Sequence, residues 1–245
     1  MASDKQLLQT YGAFRKEWLS WNPSRIDAAL ETELPCSNRK CKQLFKAIDG
    51  LYLDKLGMRC PHCDKAVHVY GDMRWNNRHM VCKSCSREAP TAFAEFKRTI
   101  GMLLVRQTGE IAGFMCKDCI SHHFKSATGK TLLFGWFSIT SLVLTPVFVI
   151  SNIASYLGAR KVKPVPPGAP RFTFNDAVMA HSLEHGEEIM RMLSNNTPPE
   201  QVAQHIAGKS NLTPAQVMTC TEKMIQAYVQ DKHGERLRDF AQRTQ

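Results

Sequence analysis

Three absences narrow what this sequence of 245 residues can be. No apolar segment opens it: Met1-Ala-Ser-Asp-Lys5 leads straight into a polar helical pattern, so no secretory leader is expected. There is no glycine-rich phosphate loop and no nucleophile–base arrangement, which argues against nucleotide hydrolysis and covalent catalysis. Charge is missing altogether from Thr131 to Ala159. A stretch of that length without an ion is unusual for a soluble helix.

Cysteine, by contrast, is concentrated. Eight of the nine cysteines fall in four pairs, Cys36/Cys41, Cys60/Cys63, Cys82/Cys85 and Cys116/Cys119. Adjacent C-x-x-C pairs staple distant segments poorly, and without a leader a reducing compartment is expected; thiolates at this spacing are then metal ligands. Four thiolates suit tetrahedral Zn2+, so two Zn2+ ions are expected on these eight residues. No closely spaced cluster-type run points to iron–sulfur chemistry. Spacing alone permits two pairings. Cys36/Cys41 with Cys60/Cys63 has the gap of a zinc ribbon, in which a hairpin joins two knuckles, leaving Cys82/Cys85 to join Cys116/Cys119. Cys60/Cys63 with Cys82/Cys85 has the same eighteen-residue gap, leaving Cys36/Cys41 for Cys116/Cys119. His62, His79, His122 and His123 lie near the cysteines, but two full sulfur sets need no further ligand.

The formal net charge of +10 sits mainly in residues 36–130, with 17 basic against 8 acidic groups. Two sites of four thiolates and one divalent ion each would lower the total to about +6. The remaining basicity is modest. Lys42, Lys46, Lys65, Arg74, Trp75, Arg78, Lys83 and Arg87 are the residues a nucleic acid would meet.

Leu7, Leu8, Tyr11, Phe14, Trp18 and Leu19 recur at three- and four-residue steps, predicting a helix that Asn22-Pro23 ends before a second, short one. Gly101–Val105 and Ile111–Met115 read as two strands, with Gln107-Thr108-Gly109-Glu110 as their turn. From Leu132 to Ile150, 19 uncharged residues suffice for a membrane-crossing helix, with Trp136 and Tyr156 near its ends and Lys130 and Arg160-Lys161 flanking it. Pro146 is tolerable there if Thr145 or Ser141 satisfies the freed backbone, and it also fits a re-entrant or surface-lying hairpin. Reduced thiolates place the metal modules on the cytoplasmic side, and a single crossing would send the C-terminal segment to the other.

Beyond a semi-rigid proline-rich linker at 160–170, Asn175 or Asp176 caps a helix reaching about Leu193. Thr197-Pro198-Pro199-Glu200 and Thr213-Pro214-Ala215-Gln216 have capping-box form with proline at the first helical position. Cys220 reads as an ordinary buried thiol. His181-Ser182-Leu183-Glu184-His185 fits the H-x-x-E-H pattern of inverted zinc peptidases, but such enzymes need a large surrounding domain and a further acidic ligand, and sixty residues follow it here, so a chance match is expected. The two capped helices have helix-turn-helix spacing, yet the net charge of −1 over residues 171–245 argues against a DNA-binding surface.

Cys82-x-x-Cys85, Gly101-Met102-Leu103-Leu104, Gly113-Phe114-Met115-Cys116-Lys117-Asp118-Cys119, Thr131-Leu132-Leu133-x-Gly135-Trp136 and Thr145-Pro146…Asn152 together resemble an uncharacterised family of bacterial membrane-associated zinc-ribbon proteins, over residues 82–155. The resemblance implies that Cys82, Cys85, Cys116 and Cys119 form one unit with the membrane segment, which favours the sequential pairing. It implies no activity. The expected protein is α+β, with two small four-cysteine zinc-ribbon-like modules of short β-hairpins, one transmembrane or membrane-inserted helical segment, and a small all-α C-terminal domain. In order these are an N-terminal helical segment (1–35), first module (36–81), second module (82–130), membrane segment (131–159), linker (160–170) and helical domain (171–245). The expected function is a membrane-anchored zinc-binding structural or regulatory module rather than an enzyme, since complete thiolate sets leave no open metal position. Its partners would be membrane lipid and an unidentified protein; a tethered nucleic-acid binder is the alternative.

Overall fold

The computed structural model describes residues 4–38, 40–52, 57–67, 80–102, 105–136 and 139–237. The chain folds as two compact units, one built from residues 1–76 together with 174–245, the other from 77–173.

The first unit opens with α1 (Asp4–Trp18) and α2 (Pro23–Leu30), the helical pair that the apolar spacing predicts. Tyr11, Phe14, Trp18, Ile26 and Leu30 are buried. The Asn22 side chain accepts from the Arg25 N–H and Pro23 takes the first helical position, where a missing N–H goes unnoticed. Two short antiparallel pairs follow, β1 (Glu33–Pro35) with β2 (Leu44–Lys46), then, after the single turn α3 (Ala47–Gly50), β3 (Leu51–Tyr52) with β4 (Gly57–Met58).

The second unit is built on one long hairpin, β5 (Ala92–Met102) against β6 (Val105–Met115), paired from Ala92↔Met115 to Met102↔Val105. The expected turn at Gln107–Glu110 is therefore a correction: these four residues are strand, opposite Ile100 to Lys97. Gly109 is there for packing. Its position lies under the Arg98 side chain, and an added Cβ would stand 2.7 Å from Arg98 Nε. Leu103 and Leu104, which the sequence placed in a strand, lie outside the described residues. Gly113 does need its freedom, at φ +153° with the Lys83 side chain lying across it; a Cβ would come 2.4 Å from Lys83 Cδ. Gly113→Ala is expected to destabilise this unit by about 1–3 kcal/mol through backbone strain and displacement of Lys83, read as a lower urea midpoint.

Helices α4 (Lys117–Phe134) and α5 (Ile139–Ala159) pack on β5 and on each other. The uncharged run is thus divided: its first four residues close α4, Gly135 ends that helix, and α5 takes most of the rest. Among the described residues no helix is long and apolar enough to cross a membrane. The run is uncharged without being uniformly apolar, and its polar members hold β5. Ser155 Oγ accepts from the Glu95 N–H (2.9 Å), Asn152 both accepts from Lys97 N–H and donates to Lys97 C=O (2.8 Å each), and Thr131 Oγ1 accepts from the Thr99 N–H (3.2 Å). These are the outward backbone groups of alternate residues on the edge that β6 does not cover. Thr145 donates to Gly135 C=O at 2.8 Å, joining the two helices rather than repairing the backbone around Pro146. The proline-rich segment is no free linker: Pro170 C=O accepts from Glu88 N–H, Phe172 N–H bonds Ser86 C=O, and Val162 and Val165 pack on the unit's core.

The chain then returns to the first unit as four helices, α6 (Asp176–Leu183), α7 (Gly186–Ser194), α8 (Pro199–Ala207) and α9 (Pro214–His233). The expected Thr213–Gln216 capping box is present, with Pro214 first in α9. The one helix expected from Asn175 to Leu193 is two, broken at Glu184-His185 before Gly186, a poor helix former that packs toward Met224. Both ends of the chain thereby share one body. Asn22 donates to Ser194 C=O and to Asn196 Oδ1 at 3.1 Å each, and Asp27 on α2 receives Tyr228 Oη (2.7 Å), Lys232 Nζ (2.5 Å) and His233 Nε2 (2.8 Å) from α9. This overturns the single crossing. A helix traversing the bilayer once between residues 131 and 159 would put α2 and α9 on opposite sides, and they are in contact.

Burial raises the Asp27 carboxyl, but its bonds from His233, Lys232 and Tyr228 outweigh this and hold it below the usual range. A depressed acid stabilises the fold above its unfolded pKa of about 3.9, and that contribution is lost as pH falls through the folded value. Asp27→Asn should accordingly be less stable than wild type at neutral pH, with the gap in urea midpoint closing below about pH 4.

Candidate metal centres

Each sulfur group is assembled by local turns. In the first, β1 and β2 bring Cys36 and Cys41 together: Cys36 N–H bonds Gln43 C=O (2.9 Å), Cys41 N–H bonds Asn38 C=O (3.0 Å), and Lys42 turns the chain at φ 54°. Cys60 and Cys63 sit in a tight knuckle after β4, where Cys60 N–H bonds Lys65 C=O, Asp64 N–H bonds Cys60 C=O, and Asp64 is left-handed at φ 52°. Cys82 and Cys85 repeat that knuckle, with Ser86 N–H to Cys82 C=O at 2.8 Å and Ser86 at φ 56°. The fourth pair differs. Cys116 is the N-cap of α4 and Cys119 lies in its first turn, so this pair comes from a helix start rather than a hairpin knuckle. The positive end of the helix favours thiolate there.

The four sulfurs of Cys36, Cys41, Cys60 and Cys63 lie within 4.8 Å of one another, and so do those of Cys82, Cys85, Cys116 and Cys119. The structure thereby selects the sequential pairing over the alternative. Cys36 and Cys63 sulfurs are 3.6 Å apart, Cys41 and Cys60 3.8 Å, and Cys85 and Cys116 3.8 Å. A disulfide would need about 2.05 Å. Four sulfurs each about 2.3 Å from a central Zn2+ stand about 3.8 Å apart at tetrahedral angles, so the donor sets fit such an ion.

N–H groups aim at the sulfurs. Asn38 offers its backbone N–H to Cys36 (3.4 Å) and its side-chain amide to Cys63 (3.6 Å); Cys116 N–H points at Cys82 sulfur (3.3 Å). Without an ion the thiols are unequal. Burial pushes Cys36 up to about 12, whereas the Lys65 N–H, then the Asn38 amide, bring Cys63 down to about 6. Burial raises Cys82, but the N–H groups of Cys116, Cys85 and Ser84 outweigh it and hold the thiol at about 7. Burial leaves Cys116 and Cys119 raised. Asn38 was not foreseen as part of the site; an amide side chain between the two cysteines of the first turn was the signal available.

Of the candidate histidines, His62 and His123 take other partners and His122 meets the His123 ring edge-on, 5.4 Å between centroids. His62 Nε2 meets Leu44 C=O (3.2 Å) and His123 Nε2 meets Ser84 Oγ (2.8 Å); His79 lies outside the described residues. His181 pairs with Glu184 (3.0 Å), and because α6 ends at Leu183 the H-x-x-E-H residues do not share one helix; they form no metal-sized group. Cys220 is a buried free thiol, as expected.

Of the basic residues offered to nucleic acid, Lys46 is ion-paired with Glu31 (2.8 Å) and Lys83 Nζ bonds Ala112 C=O (2.8 Å), while Arg74, Trp75 and Arg78 lie outside the described residues.

No family model, no curated protein and no solved structure matches the chain.

Proposed function

We propose that the protein is a membrane-associated module holding two Zn2+ ions, structural in role, that presents its folded units to a protein partner on the cytoplasmic side. One observation carries this reading. The second unit joins a tetracysteine cluster to an exposed, uncharged apolar surface through a single helix: Cys119 lies in the first turn of α4, and Leu132, Leu133 and Phe134 are exposed in its last. Four protein sulfurs per ion leave no coordination position for water or substrate, which supports a structural rather than catalytic role. Zinc would tie the knuckles to the hairpin and helices, and the apolar surface would keep the body at lipid. The nucleic-acid alternative is weaker, because Lys46 and Lys83 already have partners.

The test is metal analysis of protein purified under reducing conditions without chelator. Two zinc ions per chain are expected. Free thiols without stoichiometric metal, or another metal in both sites, would remove the zinc reading.

A further inference from the structure

Outside the sulfur groups, the most distinctive surface is on α5. Val147, Ile150, Ile153 and Leu157 are exposed, Ile150 at 66%, and they follow one another at three- and four-residue steps along one helical face. Beyond the helix corner, Leu132, Leu133, Phe134 and Trp136 are exposed as well, Leu133 at 68%. The opposite side of α5 is committed to β5 through Asn152 and Ser155.

Charge says what covers this face. Between Asp118 and Asp176 there is no acidic residue, while Lys125, Lys130, Arg160, Lys161, Lys163 and Arg171 are all present. Lys130 precedes the corner, and Arg160, Lys161 and Lys163 follow α5 directly, all four exposed. None of them takes part in an ion pair among the described residues. An apolar helix face with cations and no acids at its ends matches a surface that is apolar inside and anionic outside.

Depth follows from the packing. Asn152, in the middle of α5, grips the backbone of Lys97, whose ammonium is paired with Glu95 at 2.6 Å. Sinking α5 to the bilayer centre would drag that charged pair into hydrocarbon, which is costly for each ion, or would strip β5 from the helix. Lying in the plane keeps both. It also leaves α2 and α9 on one side of the membrane, as their contact requires.

We infer that the second unit docks in the plane of an anionic leaflet, burying the outer face of α5 and the Leu132–Trp136 corner among the acyl chains while Arg160, Lys161 and Lys163 meet lipid headgroups. This rests on the membrane-associated reading above and adds the mode, the depth and the lipid class.

The experiment uses the full-length zinc-loaded protein and vesicles of phosphatidylcholine alone or with one-third phosphatidylglycerol, separated by flotation. Binding is expected on the anionic vesicles and to be much weaker on the neutral ones. Arg160→Gln/Lys161→Gln/Lys163→Gln should lower partition about a hundredfold, since each near-surface cation is worth about 1 kcal/mol. Ile150→Asp should lower it with both zinc ions retained, which shows the fold is intact. Lipid brominated near the headgroup should quench the tryptophan fluorescence more than lipid brominated at the chain ends, and Trp136→Phe should remove the difference. Equal binding to both vesicle types overturns the headgroup assignment, and stronger quenching from the chain ends overturns the in-plane mode. No flotation at any composition overturns the membrane reading itself. Dimerisation in solution that Ile150→Asp abolishes would assign the face to a second copy of the chain instead.

Discussion

If each sulfur group holds one Zn2+ ion as proposed, Cys82→Ser and Cys116→Ser are each expected to cost the protein one ion and to unfold the second unit, while Cys36→Ser and Cys60→Ser cost it the other. The size of the effect follows from what the metal would supply. Structural Zn2+ contributes about 10–16 kcal/mol of apparent binding free energy in small domains, comparable with the entire stability of a typical domain at about 5–15 kcal/mol. The Cys82 turn is also tied to its neighbours, by Lys83 N–H to Phe114 C=O and Phe172 N–H to Ser86 C=O. These bonds hold its rim and leave the four thiols to be gathered by the metal. The knuckle at Cys82 is closed by its own short hydrogen bonds to Ser86 and Arg87, and Cys116 starts α4 without a side-chain cap. Double variants separate the pairings. If the sulfur groups form as observed, Cys82→Ser/Cys116→Ser should still hold one zinc ion and Cys60→Ser/Cys82→Ser none. The alternative pairing reverses that result, because Cys60 and Cys82 would then serve the same ion. Zinc per chain, measured alongside limited proteolysis to locate the unfolded unit, decides between them.

The eight grouped cysteines were legible because paired thiol donors need tight turns, and tight turns leave short spacings. Their partition was not, since two gaps of equal length connect Cys60/Cys63 to a pair on either side. The cap at Thr213 was legible for the same local reason: one side chain meets one N–H three residues on. Gly109 misled because glycine marks turns far more often than it makes room for a cross-strand Arg98. The uncharged run misled more seriously. Absence of charge suggests affinity for lipid, and Thr145 reads as a patch for the backbone at Pro146, yet Thr131, Thr145, Asn152 and Ser155 are the residues that bind β5 and the helix corner. The union of the two chain ends left no trace at all. The Asp27–Tyr228 contact joins residues 201 apart in sequence, and neither residue stands in a periodic pattern that names the other.

Asn152→Ala should be the most damaging substitution in the second unit that touches no sulfur. The side chain is fully buried and makes three hydrogen bonds, accepting from Lys97 N–H, donating to Lys97 C=O, and donating to Thr128 Oγ1 at 3.4 Å. Removing it leaves a backbone donor and a backbone acceptor of β5 without their partner at a part-buried position, at up to about 1–3 kcal/mol each, and opens a small void besides. A loss of about 3–5 kcal/mol is expected, measured as a fall in the urea midpoint of full-length zinc-loaded protein. Asn152→Leu fills the void without satisfying the strand, so it should rescue little. Ser155→Ala, which removes one bond from a less buried position, should cost about 1 kcal/mol. The contrast matters for the run's character. A helix whose middle residue served only to face lipid would accept leucine at 152 without loss, or gain from it. Stability unchanged or raised in Asn152→Leu would therefore detach α5 from β5 and with it the physical reason for keeping the helix out of the bilayer's interior.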